Sequence, residues 1–129
     1  MRFGYEVFHD DVRVPARFYV SVLGFTLDGP EGLTESTDYC TVTRDGLTVG
    51  CSRMVGAPTT PRKPPVGSEI VLRVEDVHRE HDRVRAAGWP VEDPLQERPW
   101  GLTDFRVFDP TGQYLRITSS HGAASPSVA

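Results

Sequence analysis

The sequence predicts an α+β fold made of two βαβββ halves, and the first observation behind this prediction is a repeated pair of helix-capping residues. Asp11 and Asp76 each precede a helix-like segment and lie 65 residues apart. Gly24 and Gly88 follow these segments and lie 64 residues apart. Aspartate is favoured at helix N-caps, and glycine is favoured where the backbone leaves a helix at positive φ. We therefore expect one helix in the same position of each half.

The other two observations concern strands. A run typical of a β-strand precedes each helix, at residues 3–8 and 69–74, and a turn signal typical of a hairpin follows each helix, at 44–47 and 109–112. The segment between the halves is rich in proline, which excludes a helix or a central strand there. The predicted organisation is a first βαβββ module at 1–56, a Pro-rich linker at 57–66, a second βαβββ module at 67–119 and a flexible tail at 120–129.

In the first half, strand alternation directs Phe3, Tyr5 and Val7 toward the core and Glu6 toward the opposite face. An Asp-Gly dipeptide at 45–46 then predicts a two-residue hairpin turn, whose register places Cys40 opposite Cys51. A disulfide and a reduced pair both suit this geometry. We expect the reduced pair, because two cysteines are too few for a disulfide framework.

The other face of this hairpin is rich in hydroxyl groups and carries one aromatic ring, which suits either solvent or a polar cavity. Its members are Tyr39, Thr41, Thr43, Thr48, Gly50 and Ser52. In the second half, alternation directs Ile70 and Leu72 of one strand, and Leu115 and Ile117 of the last strand, toward the core. The faces opposite the core collect charged residues, namely Arg2, Glu6, Glu69, Arg73 and Arg116.

Composition and charge exclude several classes of protein. The chain has 129 residues, of which 38% are hydrophobic and 25% charged, so it has enough apolar material for a packed core. Its 14 basic and 18 acidic residues give a formal net charge of −4, which disfavours nucleic-acid binding. No apolar run reaches the length of a membrane span, and the N-terminal segment turns acidic too early for a signal peptide. We expect a cytoplasmic protein that binds neither nucleic acid nor membranes.

Two stretches of the chain carry recognisable motifs. FYVSVLGF at 18–25 ends the first predicted helix, and PWG at 99–101 is followed by FRVFDPTG at 105–112. Together they resemble motifs of the vicinal-oxygen-chelate superfamily, in its glyoxalase/bleomycin-resistance/dioxygenase branch. The resemblance implies a curved mixed sheet with a cleft, and a homodimer. Because this fold carries several enzyme activities as well as antibiotic-sequestering proteins, the function has to be argued from the site.

The resemblance also implies where enzymes of this superfamily bind a divalent metal ion. The matching positions are Gly4, Glu69 and Arg116. Only Glu69 offers a ligand, since glycine has no donor atom and arginine is cationic. His78 and His81 lie three residues apart on the second predicted helix, and we interpret them as part of a solvated, charged face. We therefore expect neither a metal nor another cofactor.

Aromatic side chains that stack on a planar ligand are a further implication of the resemblance. Trp100 and Tyr39 match two such positions, whereas Val71 occupies the third. Glu69 and Arg116 then act either as a structural ion pair or as a charged group presented to the ligand. The predicted ligand-binding residues are Tyr39, Thr41, Glu69, Arg73, Trp100 and Arg116.

These residues favour a metal-free binding protein of the bleomycin-resistance type. It would sequester a small, partly aromatic compound, such as an antibiotic, in the cleft of a homodimer. The acidic chain attracts cationic compounds of this kind. One alternative is an enzyme of the same fold, a lyase, dioxygenase or isomerase, with Glu69 as general base and Arg116 or Arg73 stabilising an oxyanion. Another is an interaction module without a small ligand.

Overall fold

The computed structural model describes residues 1–29 and 32–120, which form two compact units. The first unit comprises Met1–Pro61 with Asp109–Gln113, and the second comprises Arg62–Phe108 with the chain from Tyr114 onward. The predicted tail lies outside the described residues from position 121. In the part of the chain that is described, no helix is long and apolar enough to cross a membrane.

The first unit is a four-stranded sheet with one helix. Its elements are β1 (Gly4–His9), α1 (Arg13–Ser21), β2 (Thr26–Leu27), β3 (Tyr39–Arg44) and β4 (Leu47–Arg53). The strand order is β1-β4-β3-β2, with β1 parallel to β4 and the other pairs antiparallel. Helix α1 covers one face of this sheet with an apolar core. The buried residues include Val7, Val12, Phe18, Tyr19, Leu23, Phe25, Val42 and Val49.

Helix α1 begins later than the sequence predicts. Val12 occupies the cap position and makes no side-chain cap bond, so the assignment of Asp11 as the N-cap is wrong. Asp11 instead accepts the backbone N–H of Arg13 and pairs with the Arg13 guanidinium at 2.7 Å. The predicted core position of Phe3 is also wrong: this residue precedes β1 and its exposed fraction is 65%.

The hairpin between β3 and β4 confirms the predicted register. Asp45 and Gly46 both adopt positive φ, as a two-residue turn requires, and Cys40 lies opposite Cys51. Both thiols are free and buried, and burial raises the pKa of each above the ordinary cysteine value. The thiols therefore stay protonated at neutral pH and pack as apolar side chains.

A chain of buried hydrogen bonds ties helix α1 to the turn at Asp109. The Tyr19 hydroxyl donates to Asp109 Oδ2 at 2.6 Å, and its oxygen lies 2.9 Å from the Tyr5 hydroxyl oxygen. Asp109 Oδ1 accepts the backbone N–H and hydroxyl of Thr111 at 2.8 and 2.7 Å and the Gln113 backbone N–H at 3.1 Å. These bonds explain the aspartate and threonine of the Asp-Pro-Thr-Gly motif, since they shape the turn that the tyrosine contacts.

The pair formed by the half-buried Tyr5 and the buried Tyr19 predicts alkaline instability. Burial raises the pKa of Tyr5 and Tyr19, with Asp109 adding in the same direction, whereas unfolded tyrosine ionises near pH 10. The unfolded state therefore loses protons that the folded state keeps, and the free energy of unfolding falls above about pH 10. Phenolate absorbance followed together with circular dichroism tests this. At least two of the four tyrosines are expected to ionise only as the chain unfolds; their ionisation in the native state would contradict it.

The second unit repeats the architecture. Its elements are β5 (Ile70–Val74), α2 (Val77–Ala86), β6 (Asp93–Glu97), β7 (Thr103–Phe108) and β8 (Tyr114–Ser119). The strand order is β5-β8-β7-β6, with β5 parallel to β8. Asp76 caps α2 as predicted, because its side chain accepts the Arg79 N–H, and Gly88 follows the helix at φ +74°. Phe105, Val107, Leu115 and Ile117 are buried on the helix-facing side of the sheet. The predicted α+β fold with two βαβββ halves is confirmed.

Candidate functional site

The candidate site in the first unit is the sheet face that α1 leaves uncovered. Strand register orders its side chains in rows, because paired residues project from the same side of a sheet. Phe8, Ser52 and Tyr39 form one row across β1, β4 and β3, and Glu6, Gly50 and Thr41 form the next. We call these six residues the Tyr39 face.

A carboxylate lies at the centre of the Tyr39 face. The Tyr39 hydroxyl donates to Glu6 Oε2 at 3.0 Å, and the Ser52 hydroxyl donates to Glu6 Oε1 at 3.3 Å. Glu6 and Tyr39 are both exposed. A carboxylate has about four acceptor positions, so two neutral donors orient Glu6 and leave it able to bind a further donor or cation.

Gly50 makes room for this arrangement. A Cβ atom placed on Gly50 would overlap the Glu6 carboxylate and the Tyr39 hydroxyl, so any side chain there would displace both groups. The φ of Gly50 is not in the left-handed region, so the backbone itself accepts other residues. The absence of a side chain at position 50 is therefore what lets the carboxylate and the phenol meet over β4.

Two aromatic rings border the same face. Phe8 and Tyr39 are 48% and 50% exposed, although each is large and apolar enough to be buried in a core. They lie in one row, separated by Ser52, at opposite sides of the central strand. Exposed rings beside an oriented carboxylate suit a ligand that combines a planar apolar part with a positive charge.

The predicted residue Thr41 lies on this face, but its hydroxyl is engaged elsewhere. It donates to Asp28 Oδ2 at 2.9 Å, and the Thr43 hydroxyl donates to the same oxygen at 2.6 Å. Asp28 is exposed and follows β2, so it adds a second carboxylate beside the face. The Tyr39 face and its border are therefore acidic, in keeping with the net charge of the chain.

In the second unit, two of the predicted residues form an ion pair. Arg116 Nε lies 2.6 Å from Glu69 Oε1, but the alignment is poor for a hydrogen bond, so the contact is electrostatic. Arg116 pairs with Val71 in the β5–β8 register and Arg73 pairs with Thr118, which places both arginines on the face opposite α2. Glu69 and Arg116 are partly exposed, and Arg73 is exposed.

A second charged cluster on this face was not predicted. Asp104 is fully buried, accepts the Arg98 Nε–H at 2.8 Å and lies 3.4 Å from Arg106 Nη2. Asp93 Oδ2 lies 3.2 Å from Arg98 Nη2 and 3.8 Å from Arg106 Nε. Arg106 lies directly opposite Arg116 in the β7–β8 register. Two arginines facing each other across strands repel, so each depends on its own carboxylate partner.

Trp100 lies in the turn between β6 and β7. The Gly101 N–H donates to the Arg98 carbonyl at 2.9 Å, and Gly101 adopts φ +90°. The indole is 57% exposed. The tight turn therefore presents a large, mostly apolar side chain to solvent.

The three positions that the resemblance matches to metal ligands do not fit a divalent metal ion. Gly4 contributes no donor atom, and the Arg116 guanidinium places a positive charge 2.6 Å from Glu69, the one carboxylate of the three. Within residues 1–29 and 32–120, no group of three or more histidine, cysteine, aspartate and glutamate side chains is arranged to hold a metal.

Sequence reasoning missed the residues that organise the Tyr39 face. Alternation placed Glu6 opposite the core, but only the parallel pairing of β1 with β4 brings it beside Gly50 and Ser52. The hairpin register is local and was predicted, whereas the β1–β4 register joins segments more than 40 residues apart and leaves no local signal.

Comparison with known proteins agrees with the fold. A family model described as the Glyoxalase/Bleomycin resistance protein/Dioxygenase superfamily matches residues 5–117. TioX from Micromonospora sp. ML1 is similar in structure, with 26% sequence identity, a TM-score of 0.72, and coverage of 92% of this chain and 98% of TioX. No curated protein shows significant sequence similarity to the chain.

Two further structures share the fold at lower identity. The bleomycin-binding protein of bleomycin-producing Streptomyces verticillus, complexed with copper(II)-bleomycin, has 21% identity, a TM-score of 0.65, and coverage of 94% of this chain and 97% of its own. Lactoylglutathione lyase from Agrobacterium tumefaciens has 15% identity, a TM-score of 0.66, and 93% coverage of both chains. The chain belongs to the glyoxalase/bleomycin resistance protein/dioxygenase superfamily.

Proposed function

We propose that the chain is a metal-free binding protein that sequesters a small, partly aromatic, cationic compound, such as an antibiotic, in the cleft of a homodimer. The observation that carries the proposal is the exposed Glu6 carboxylate, oriented by Tyr39 and Ser52 between two exposed rings. The wider set of proposed ligand-binding residues is Tyr39, Thr41, Glu69, Arg73, Trp100 and Arg116, with Glu6 and Phe8 added.

Binding at this face needs little reorganisation. Glu6 and Tyr39 already hold each other in place, so a ligand does not have to order a flexible carboxylate before it binds. The planar part of the ligand would stack on Tyr39 or Phe8, and its positive group would pair with Glu6. A bleomycin-binding protein shares the fold and is known in complex with copper(II)-bleomycin.

Sequestration requires no reaction. If the protein is abundant and its dissociation constant is low, mass action keeps the free concentration of the compound small. The donor set also supports a site without metal, since Gly4 and Arg116 stand where ligands would be needed. A ligand recovered in chemically altered form would contradict sequestration.

The test is a titration with a matched pair of planar compounds, 9-aminoacridine, which is cationic at neutral pH, and the neutral acridone, alongside metal-free bleomycin. We expect the cationic member to bind more tightly. Glu6→Gln and Tyr39→Ala should each weaken its binding about ten-fold, because each removes a charged or stacking contact of roughly 1.4 kcal/mol. Isothermal titration calorimetry measures the dissociation constant of each compound, for the unaltered chain and for each variant.

Gly50→Ala tests most directly whether binding needs the contact between Glu6 and Tyr39. It keeps both side chains but forces them apart, so it should weaken binding about as much as Glu6→Gln while the fold is retained. Glu35→Gln is the control, since Glu35 is an exposed carboxylate of the same unit outside the Tyr39 face. Equal binding of the cationic and neutral compounds, or unchanged binding in Gly50→Ala, would contradict the proposed role of this face.

A further inference from the structure

The second unit contains a cavity that the proposed function does not use. It has a volume of about 650 Å³ and lies open to solvent between the C-terminal half of α2 and residues 88–95, which run into β6. This volume lies within the range of small-molecule sites in proteins. The residues that line it are His81, Arg85, Trp89, Val91, Pro94 and Leu95.

The apolar wall of the cavity is held in place by backbone contacts. The Trp89 indole N–H donates to the Phe108 carbonyl at 2.8 Å, and the Trp89 backbone N–H donates to the Val84 carbonyl at 3.2 Å. One of these bonds holds the indole ring of Trp89, and the other holds its backbone. Trp89 therefore offers an oriented ring surface, next to the side chains of Val91 and Leu95.

The polar wall carries one positive charge and one imidazole. Arg85 is exposed, and among the described residues no carboxylate lies within ion-pair distance of it, whereas its neighbour Arg83 pairs with Glu80 at 3.8 Å. His81 was predicted to be solvated, but its ring packs edge-on against Phe105, with centroids 5.0 Å apart. No hydrogen-bond partner of the imidazole lies within the described part of the chain.

The neutral imidazole of His81 can donate a hydrogen bond to a ligand. Partial burial lowers the pKa of His81, and the neighbouring Arg85 guanidinium lowers it further, while Asp82 acts in the opposite direction. The imidazole is therefore neutral at neutral pH and can donate one hydrogen bond. Arg85 supplies the charge that an anion would pair with.

From the cavity, its anchored indole and its unpaired guanidinium, we propose a second binding site, which takes a small organic anion with an aromatic body, such as an aromatic carboxylate. The ring would lie against Trp89 and Leu95, and the carboxylate would pair with Arg85 and accept a hydrogen bond from His81. This site is independent of the Tyr39 face, which is acidic and suits a cation.

The probe is 2-naphthoate, with the neutral 2-naphthamide as its matched control, followed by ¹H–¹⁵N nuclear magnetic resonance. We expect 2-naphthoate to shift the Trp89 indole N–H and the Val91 and Leu95 amide signals saturably, with a dissociation constant of about 1 mM or less. The amide should bind about five-fold more weakly, as expected for the loss of an exposed ion pair.

Arg85→Gln should weaken binding of 2-naphthoate by a similar factor, whereas Arg79→Gln, an exposed arginine on the same helix that does not line the cavity, should leave it unchanged. The comparison of the two probes uses the unaltered chain, so its result does not depend on whether a variant folds. The proposal is overturned if the Trp89 signal does not move, if the amide binds equally well, or if the shifts centre on Trp100 instead.

Discussion

Replacing Asp109 with alanine is expected to lower the free energy of unfolding by about 3–5 kcal/mol and the melting temperature by about 10 °C or more. Asp109 is 3% exposed, and its carboxylate accepts hydrogen bonds from Tyr19, Thr111 and Gln113. Alanine would remove all of these acceptors at once. It would take away the carboxylate oxygens that two hydroxyl groups and two backbone N–H groups donate to, in a largely buried region.

Asp109→Asn should cost less, about 1–2 kcal/mol, because every partner of Asp109 is a neutral donor. The amide oxygen can still accept the bonds from Thr111 and Gln113, and the Tyr19 oxygen can accept a bond from the amide nitrogen in place of donating one. Asp38→Ala is the control, since its side chain is 90% exposed and lies 3.8 Å from Arg53 Nη1. We expect its effect to stay below about 1 kcal/mol.

Chemical denaturation in urea, read by circular dichroism, measures these values. A loss below about 1 kcal/mol for Asp109→Ala would mean that the turn holds its shape without the carboxylate, and the role assigned to the Asp-Pro-Thr-Gly motif would be wrong.

Replacing Asp104 with alanine should cost a similar 3–5 kcal/mol, for a different physical reason. Asp104 is fully buried between Arg98 and Arg106, so its removal leaves the two guanidinium groups with Asp93 as their one carboxylate partner among the described residues. Breaking a buried ion pair from one side is strongly destabilising because the remaining charge stays in a medium of low polarity.

Substitution by asparagine distinguishes the role of Asp104 from that of Asp109. Here the partners are cations, so a neutral amide cannot replace the lost charge, and we expect Asp104→Asn to destabilise nearly as much as Asp104→Ala. At position 109 the same substitution should recover more than half of the loss. Glu97→Ala, an exposed carboxylate on β6, serves as the control and should change stability little.

Urea denaturation at low and high salt completes this test. Because Asp104 is buried, ions in solution screen it poorly, and the loss should persist at about 1 M salt. Equal recovery by asparagine at positions 104 and 109 would show that Asp104 acts as an ordinary hydrogen-bond acceptor rather than as a charge partner. A loss that disappears at high salt would show that the ion pairs of Asp104 are screened like those of a surface pair.

Local patterns in the sequence determined the elements and part of the register. The Asp-Gly turn at 45–46 was sufficient to pair Cys40 with Cys51, because a two-residue hairpin loop leaves one register. Asp76 and Gly88 marked the ends of α2, since capping depends on residues within one turn of the helix. The motifs at 18–25 and 99–112 pointed to the superfamily, which the family model confirms.

Contacts between distant segments were decided only in the tertiary structure. Glu6 meets Tyr39 because β1 pairs with β4, and Asp109 meets Tyr19 across 90 residues of chain. The same holds for His81, whose position on a charged helix predicted solvation but which packs on Phe105 of β7. Alternation and capping are set by neighbours in the chain, whereas the partner of a buried or oriented polar group is set by which strands pair, and that depends on the packing of the whole unit.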